Sequence, residues 1–251
     1  MKNIFFTILS FAFLIFFSCS SINNSIIEIE DNIIIVSDTI VDDNINNTPK
    51  KNKLLALGDS YTIGQNVCEK CRFPEQLVDS LLKRTSNKNT FPLKLIARTG
   101  WTTTNLINAI ENENLASNYN LVTLLIGVNN QYQKKSFSIY EKEFPRLVNI
   151  AIQSLSGVSK NLIVLSIPDY AFTPFGKGNA TISQEVKKYN DFAKSYCNKN
   201  NITFLNITDI TANGLINPNL VANDGLHPSK EAYSKFVARL VPLVLNKLNL
   251  K

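Results

Sequence analysis

Histidine is almost missing from this chain: its 251 residues include one, His227. Any imidazole chemistry must therefore pass through that ring. Also missing are an arginine-rich tract, zinc-finger spacing and the aromatic signature of an RNA-binding sheet. The formal charge of +6, from 26 basic and 20 acidic residues spread along the chain, therefore does not make nucleic acid an expected partner. Cysteine is scarce, with four in all, and no disulfide framework is needed, because about two hundred residues can bury a self-sufficient core. An apolar fraction of 44% beside 18% charged residues is near the globular average, which excludes wholesale disorder and collagen-like or coiled-coil fibres. Internal repeats are absent too. What remains is one ordinary domain with appendages.

The first appendage reads as an address. Lys2 opens a short positive region, and Ile4 to Phe17 is an almost unbroken apolar run ending in Ser18-Cys19. Residues 1–18 have the layout of a secretory signal, and the run falls short of the roughly 20 residues of a membrane span. The junction Phe16-Phe17-Ser18-Cys19 resembles a bacterial lipobox, which implies cleavage before Cys19 and lipid attachment to its sulfur. The expected location is a bacterial membrane surface, periplasmic or cell-surface, with plain secretion as the alternative. Residues 19–52 are rich in Asn, Ile, Asp and Ser and show no sustained helical period. They read as a mostly disordered tether that holds a domain, residues 53–251, away from the membrane.

Within that domain, short β-rich apolar runs at 54–57, 93–97, 121–126, 162–167 and 202–207 alternate with helical patterns at 73–83, 103–113, 136–155 and 182–198. Pro145 should interrupt the third helical pattern, and a last amphipathic stretch at 229–248 allows a kink at Pro242. The strand runs are near-continuous in apolar character, as strands covered on both faces should be. The pattern predicts βαβ units with right-handed crossovers: an α/β fold, a three-layer α/β/α sandwich on a five-stranded parallel sheet. Sites in such sheets form at the carboxyl ends of the strands.

The segments expected at those ends carry chemically useful residues. They read Gly58-Asp59-Ser60, Thr99-Gly100-Trp101 and Gly127-Val128-Asn129-Asn130, and the loop before the last helix reads Asp224-Gly225-Leu226-His227-Pro228. These four blocks, in this order over residues 53 to about 248, resemble the SGNH (GDSL-type) hydrolase family. The resemblance implies a flavodoxin-like sandwich and cleavage of carboxylic esters, among them lysophospholipids, acylated sugars and short aryl esters. One departure is Asn130, where the third block usually carries aspartate.

The residues support the same chemistry on physical grounds. A serine hydroxyl is a weak nucleophile until a base takes its proton. Ser60 is the candidate nucleophile and His227 the only candidate imidazole. Asp224, three residues earlier, can fold back on Nδ1, fix the tautomer and leave Nε2 for Ser60. An oxyanion would take hydrogen bonds from the Ser60 and Gly100 N–H groups and the Asn129 amide. Glycine at 100 keeps a Cβ from obstructing the substrate. Asp59 reads as a loop-holding carboxyl. No Gly-x-Ser-x-Gly segment occurs, which disfavours the nucleophile-elbow hydrolases.

Cys68 and Cys71 flank two residues just past the nucleophile loop, and in an exported protein a disulfide is the expectation. With Cys197 and His227 they would make a nominal zinc set, but the second paired-ligand motif is lacking and the metal would take the base from Ser60. No metal or cofactor is therefore expected, and Cys197 is placed in the core. Trp101, Tyr132 and residues 169–178 should line or border the pocket. The expected substrate is a small-molecule, lipid or carbohydrate ester, met by a monomer. Two other functions fit the sequence: acyl transfer to a sugar hydroxyl, and a surface-binding lipoprotein without catalysis.

Overall fold

The computed structural model describes residues 49–250; the expected signal, Cys19 and most of the expected tether lie outside them. Five strands, β1 (Leu54–Gly58), β2 (Leu93–Ala97), β3 (Leu121–Leu125), β4 (Leu162–Leu165) and β5 (Thr203–Leu205), fall on the five apolar runs. All pair in parallel in the order β2-β1-β3-β4-β5, which is the flavodoxin-like order. The strands β1, β3 and β4 are buried along their whole length, so the continuous apolar runs do mark strands covered on both faces. The edge strands β2 and β5 are only half-buried.

The connecting helices are α1 (Ser60–Ile63), α2 (Phe73–Arg84), α3 (Thr103–Asn112), α4 (Val128–Tyr132), α5 (Phe137–Ser154), α6 (Ala180–Lys199), α7 (Thr208–Thr211) and α8 (Lys230–Lys247). Right-handed crossovers send α2 to one face and α3, α5 and α6 to the other. The packing agrees: α2 lies against α8, α3 against α5, and α5 against α6. The result is the expected three-layer sandwich.

Local chemistry sets the helix ends. The side chain of Thr102 caps α3 in a reciprocal capping box with Asn105, and Ser229 caps α8 by accepting from Glu231 and Ala232. Pro74 sits in the first turn of α2, where its missing N–H is not needed.

The structure corrects the sequence reading in three places. Pro145 does not interrupt its helix; α5 runs through it. The flanking Tyr140, Phe144, Leu147 and Val148 are all buried, and the Tyr140 ring stands 4.6 Å from that of Tyr189. This packing outweighs the one hydrogen bond that proline removes. The folded region also begins before residue 53, because Lys51 bridges Thr90 in parallel and the Asn52 N–H donates to Thr90 O at 2.9 Å. Finally, the one-turn helices α1, α4 and α7 had no signal in the apolar spacing, being too short to show a period.

Strand order reverses direction between β1 and β3. In parallel sheets this reversal is where ligand sites form, and the segments after both strands lie there.

Candidate active site

Strand β1 delivers Ser60 to the start of α1. Asp59 caps this helix, its Oδ1 accepting from the Tyr61 N–H at 3.0 Å, so it holds the loop as expected. The carboxyl is wholly buried and its second oxygen has no partner among the described residues. Burial raises its pKa to about 7 against the opposing hydrogen bonds from the Tyr61 N–H and its own. Ser60 itself is 4% exposed. Neither its hydroxyl nor its N–H bonds to another described residue.

The loop between β5 and α8 brings in the imidazole. Asp224 Oδ1 accepts from the N–H groups of Leu226 and His227, both at 3.0 Å. This Asx-type turn folds the carboxylate back so that Oδ2 meets His227 Nδ1 at 2.6 Å. Partial burial pushes the Asp224 pKa up, but the hydrogen bonds from the His227 ring and from the two backbone N–H groups outweigh it. The carboxyl is held below its ordinary value.

The ring of Tyr61, next to Ser60, packs edge-on against the imidazole with centroids 5.7 Å apart. Ser60 and His227 thus lie on neighbouring loops. No hydrogen bond joins them in this structure.

The remaining expected groups come from the ends of β2 and β3. Gly100 has φ of +83°, and a Cβ built on it would meet nothing within 4 Å. The left-handed backbone, not crowding by protein, is what requires glycine there. Its N–H is free of described partners while its carbonyl accepts from Gln133 Nε2 at 2.8 Å. Asn129 is 8% exposed and donates from Nδ2 to the Trp101 carbonyl at 3.0 Å. A carboxamide nitrogen carries two hydrogens, so this bond fixes the amide and leaves one to give. Gly127, just before α4, has φ of +126°, and a Cβ there would come within 2.6 Å of the Tyr140 ring.

Asn130, the residue that departs from the family pattern, is fully buried. Its Oδ1 accepts from the Thr103 N–H at 2.9 Å and its Nδ2 donates to Thr103 Oγ1 at 2.7 Å. Thr103 offers a donor and an acceptor, and a carboxamide matches both where a carboxylate could only accept. The substitution keeps the loop tied to α3.

Tyr132, three residues after Asn129, is 52% exposed. It borders a cavity of about 700 Å³ together with Tyr170, Phe175, Lys134 and Lys188. The segment carrying Phe175 is pinned to the base's loop by its N–H, which donates to Gly225 O at 2.9 Å. Trp101 is half-buried against the core, and its carbonyl accepts from the Asn129 amide. Cys68 and Cys71 form a disulfide, and Cys197 is buried in the core. Asn66 had no sequence signal, yet its amide donates to Asp224 Oδ2.

Comparison with known proteins agrees with this fold. The family model described as GDSL-like lipase/acylhydrolase matches residues 56–235. No curated protein matches the sequence. Among solved structures, the chain is similar to a lipase/acylhydrolase from Enterococcus faecalis, with TM-score 0.61 and 18% identity over 80% of this chain and 97% of that one. It is also similar to an acetylxylan esterase from Geobacillus stearothermophilus, with TM-score 0.58 and 17% identity over 82% of this chain and 97% of that one. A third is a psychrotrophic esterase from Pseudoalteromonas, with TM-score 0.56 and 18% identity over 79% of this chain and 99% of that one. At these identities the likeness is one of fold.

Proposed function

The chain belongs to the GDSL-like lipase/acylhydrolase family, and from that premise we propose that it hydrolyses carboxylic esters through an acyl-serine on Ser60. The observation that carries this reading is the 2.6 Å contact between Asp224 Oδ2 and His227 Nδ1. It holds the imidazole beside the loop that bears Ser60, and among the described residues neither Nε2 nor the serine hydroxyl has a hydrogen-bond partner. The missing Ser60–His227 hydrogen bond fits a resting enzyme, since such bonds are often long until substrate binds.

In the first half-reaction Ser60 Oγ attacks the carbonyl carbon as its proton passes to His227 Nε2. Negative charge moves to the carbonyl oxygen, where the Ser60 and Gly100 N–H groups and the second hydrogen of the Asn129 amide receive it. The bond to the leaving alcohol then breaks, and the alcohol takes the proton from His227. Water repeats the cycle on the acyl-serine: His227 accepts its proton, the Ser60 ester bond breaks, and the proton returns to Ser60 Oγ as carboxylic acid leaves. Asp224 keeps the ring oriented and steadies the imidazolium throughout.

The wider parts of the ester have room in the cavity beside Tyr132 and Phe175. Acyl groups on a carbohydrate, as the name of the Geobacillus relative indicates for that protein, are one chemistry to try first. We also propose export and lipid attachment at Cys19, which the Cys68–Cys71 disulfide supports as a bond suited to an oxidising compartment. Labelled palmitate should enter the wild-type chain and not Cys19→Ala. For the catalytic reading, a fluorophosphonate should label the wild type on Ser60 and leave Ser60→Ala unlabelled. Equal labelling of the two would remove Ser60 from its role.

A further inference from the structure

Among the described residues, one side-chain hydrogen bond joins the nucleophile's loop to the base's loop, and Asn66 makes it. The Asn66 amide donates to Asp224 Oδ2, the oxygen that also meets His227 Nδ1. A carboxylate only accepts, so the nitrogen of the amide must face it. The other oxygen, Oδ1, already holds the N–H groups of Leu226 and His227. With Asn66 in place, both oxygens are pinned and the carboxylate cannot turn about its Cβ–Cγ bond. Without it, Oδ2 would have the imidazole as its sole partner among the described residues, on a side chain 24% exposed to water.

Asn66 is itself firmly held. It has φ of +61°, a left-handed conformation that asparagine adopts more readily than most residues. Gly64, also left-handed, ends α1 just before it, and the Cys68–Cys71 disulfide closes the loop just after. Gln76 ties that loop to the start of α8, with Nε2 donating to Cys71 O and to Lys230 O. A bond spanning 158 residues of sequence thus ends on a clamped loop rather than a loose one.

We propose that Asn66 is a positioning residue: its amide locks the Asp224 carboxylate in the orientation that aims the His227 ring at Ser60, coupling the nucleophile and base loops. The proposal rests on the roles given above to Ser60, Asp224 and His227. It acts on the transition state, where the imidazole must be aligned and charged, so the effect belongs in kcat rather than KM.

The test uses the full-length chain with p-nitrophenyl acetate and compares Asn66→Gly, Asn66→Asp and Ser60→Ala with the wild type. Glycine accepts the left-handed backbone and removes only the amide. Its kcat should fall about 10- to 100-fold, the range for losing a hydrogen bond to a charged group, with KM within about twofold. Aspartate fills the same space and tolerates the same backbone, but turns a second carboxylate toward Asp224. It should be slower than Asn66→Gly, whereas a merely space-filling residue would make it the faster of the two. Wild-type kcat in Asn66→Gly, or Asn66→Asp outperforming Asn66→Gly, overturns the proposal while loss of activity in Ser60→Ala leaves the catalytic reading standing. Full activity in Ser60→Ala overturns both.

Discussion

The ring of Tyr61 stands edge-on to the imidazole of His227, their planes inclined at 62°, so the residue following the candidate nucleophile forms one wall of the candidate base. The contact passes from α1 to the loop before α8 and restricts how the imidazole can tilt. A buried aromatic thereby takes on an orienting task as well as a packing one. Its ring, rather than its hydroxyl, makes the contact.

Tyr61→Phe should accordingly keep activity within about threefold, and Tyr61→Ala should lose roughly 10- to 100-fold in kcat, the scale on which small misplacements act. The alanine variant should also lose about 3–5 kcal/mol of stability, as truncation of a buried aromatic does. Denaturant unfolding and ester turnover measured on the same preparations separate the two effects. Comparable activity in the alanine and phenylalanine variants would deny the ring an orienting role.

Asn129→Ala should lower kcat by roughly 10²–10³, the cost of removing one oxyanion donor. The Trp101 carbonyl would lose its partner at the same time, so a small drop in thermal midpoint should accompany the loss. Turnover equal to wild type would contradict the assignment of this amide.

Stability should depend on pH through Asp59. Its carboxyl has a pKa of about 7 when folded against an ordinary 3.8. Between those values the folded state holds the proton more tightly than the unfolded chain, so raising pH destabilises the fold across that window. The penalty is absent below about pH 4 and complete above about pH 7, and it reaches at most roughly 4 kcal/mol at 1.36 kcal/mol per tenfold change. Asp59→Asn keeps an acceptor for the Tyr61 N–H and removes the titration. Thermal midpoints followed from pH 4 to 8 should fall more steeply for the wild type than for this variant. Parallel curves would mean that the carboxyl ionises without cost.

The Cys68–Cys71 disulfide closes a very short loop, for which chain entropy predicts about 2 kcal/mol of stabilisation. Cys68→Ser/Cys71→Ser should lose that much in urea unfolding. Because Asn66 lies two residues before Cys68, kcat should drop with it. A stability loss without any change in kcat would show that the loop's anchoring does not reach the Asp224 carboxylate.

Much of this architecture could be read before any coordinates. The run Leu121–Leu125 is apolar at all but one position and is buried throughout, and Thr123, the exception, is buried as well. Central strands advertise themselves because both faces are covered. The edges were less legible: β5 is half-exposed, and nothing in its composition distinguishes an edge from a centre. Proline at position 145 misled because a local rule was applied where the aromatic packing of Tyr140, Phe144 and Tyr189 was not yet visible. The Asp224–His227 pairing was legible because three residues separate the partners and a single turn closes the distance.

By itself the sequence determined what kinds of groups are present and on which segments they travel: one imidazole, a serine after the first strand, a carboxylate within a turn of the ring, an amide after the third strand. Periodicity and local turn chemistry encode such things because they act over a few residues. Only the tertiary structure decided that Asn66 reaches Asp224, that Tyr61 walls His227, and that the Trp101 carbonyl holds the Asn129 amide. Those contacts join residues far apart along the chain. They depend on how the loops at the carboxyl edge of the sheet converge, and no local propensity carries that information.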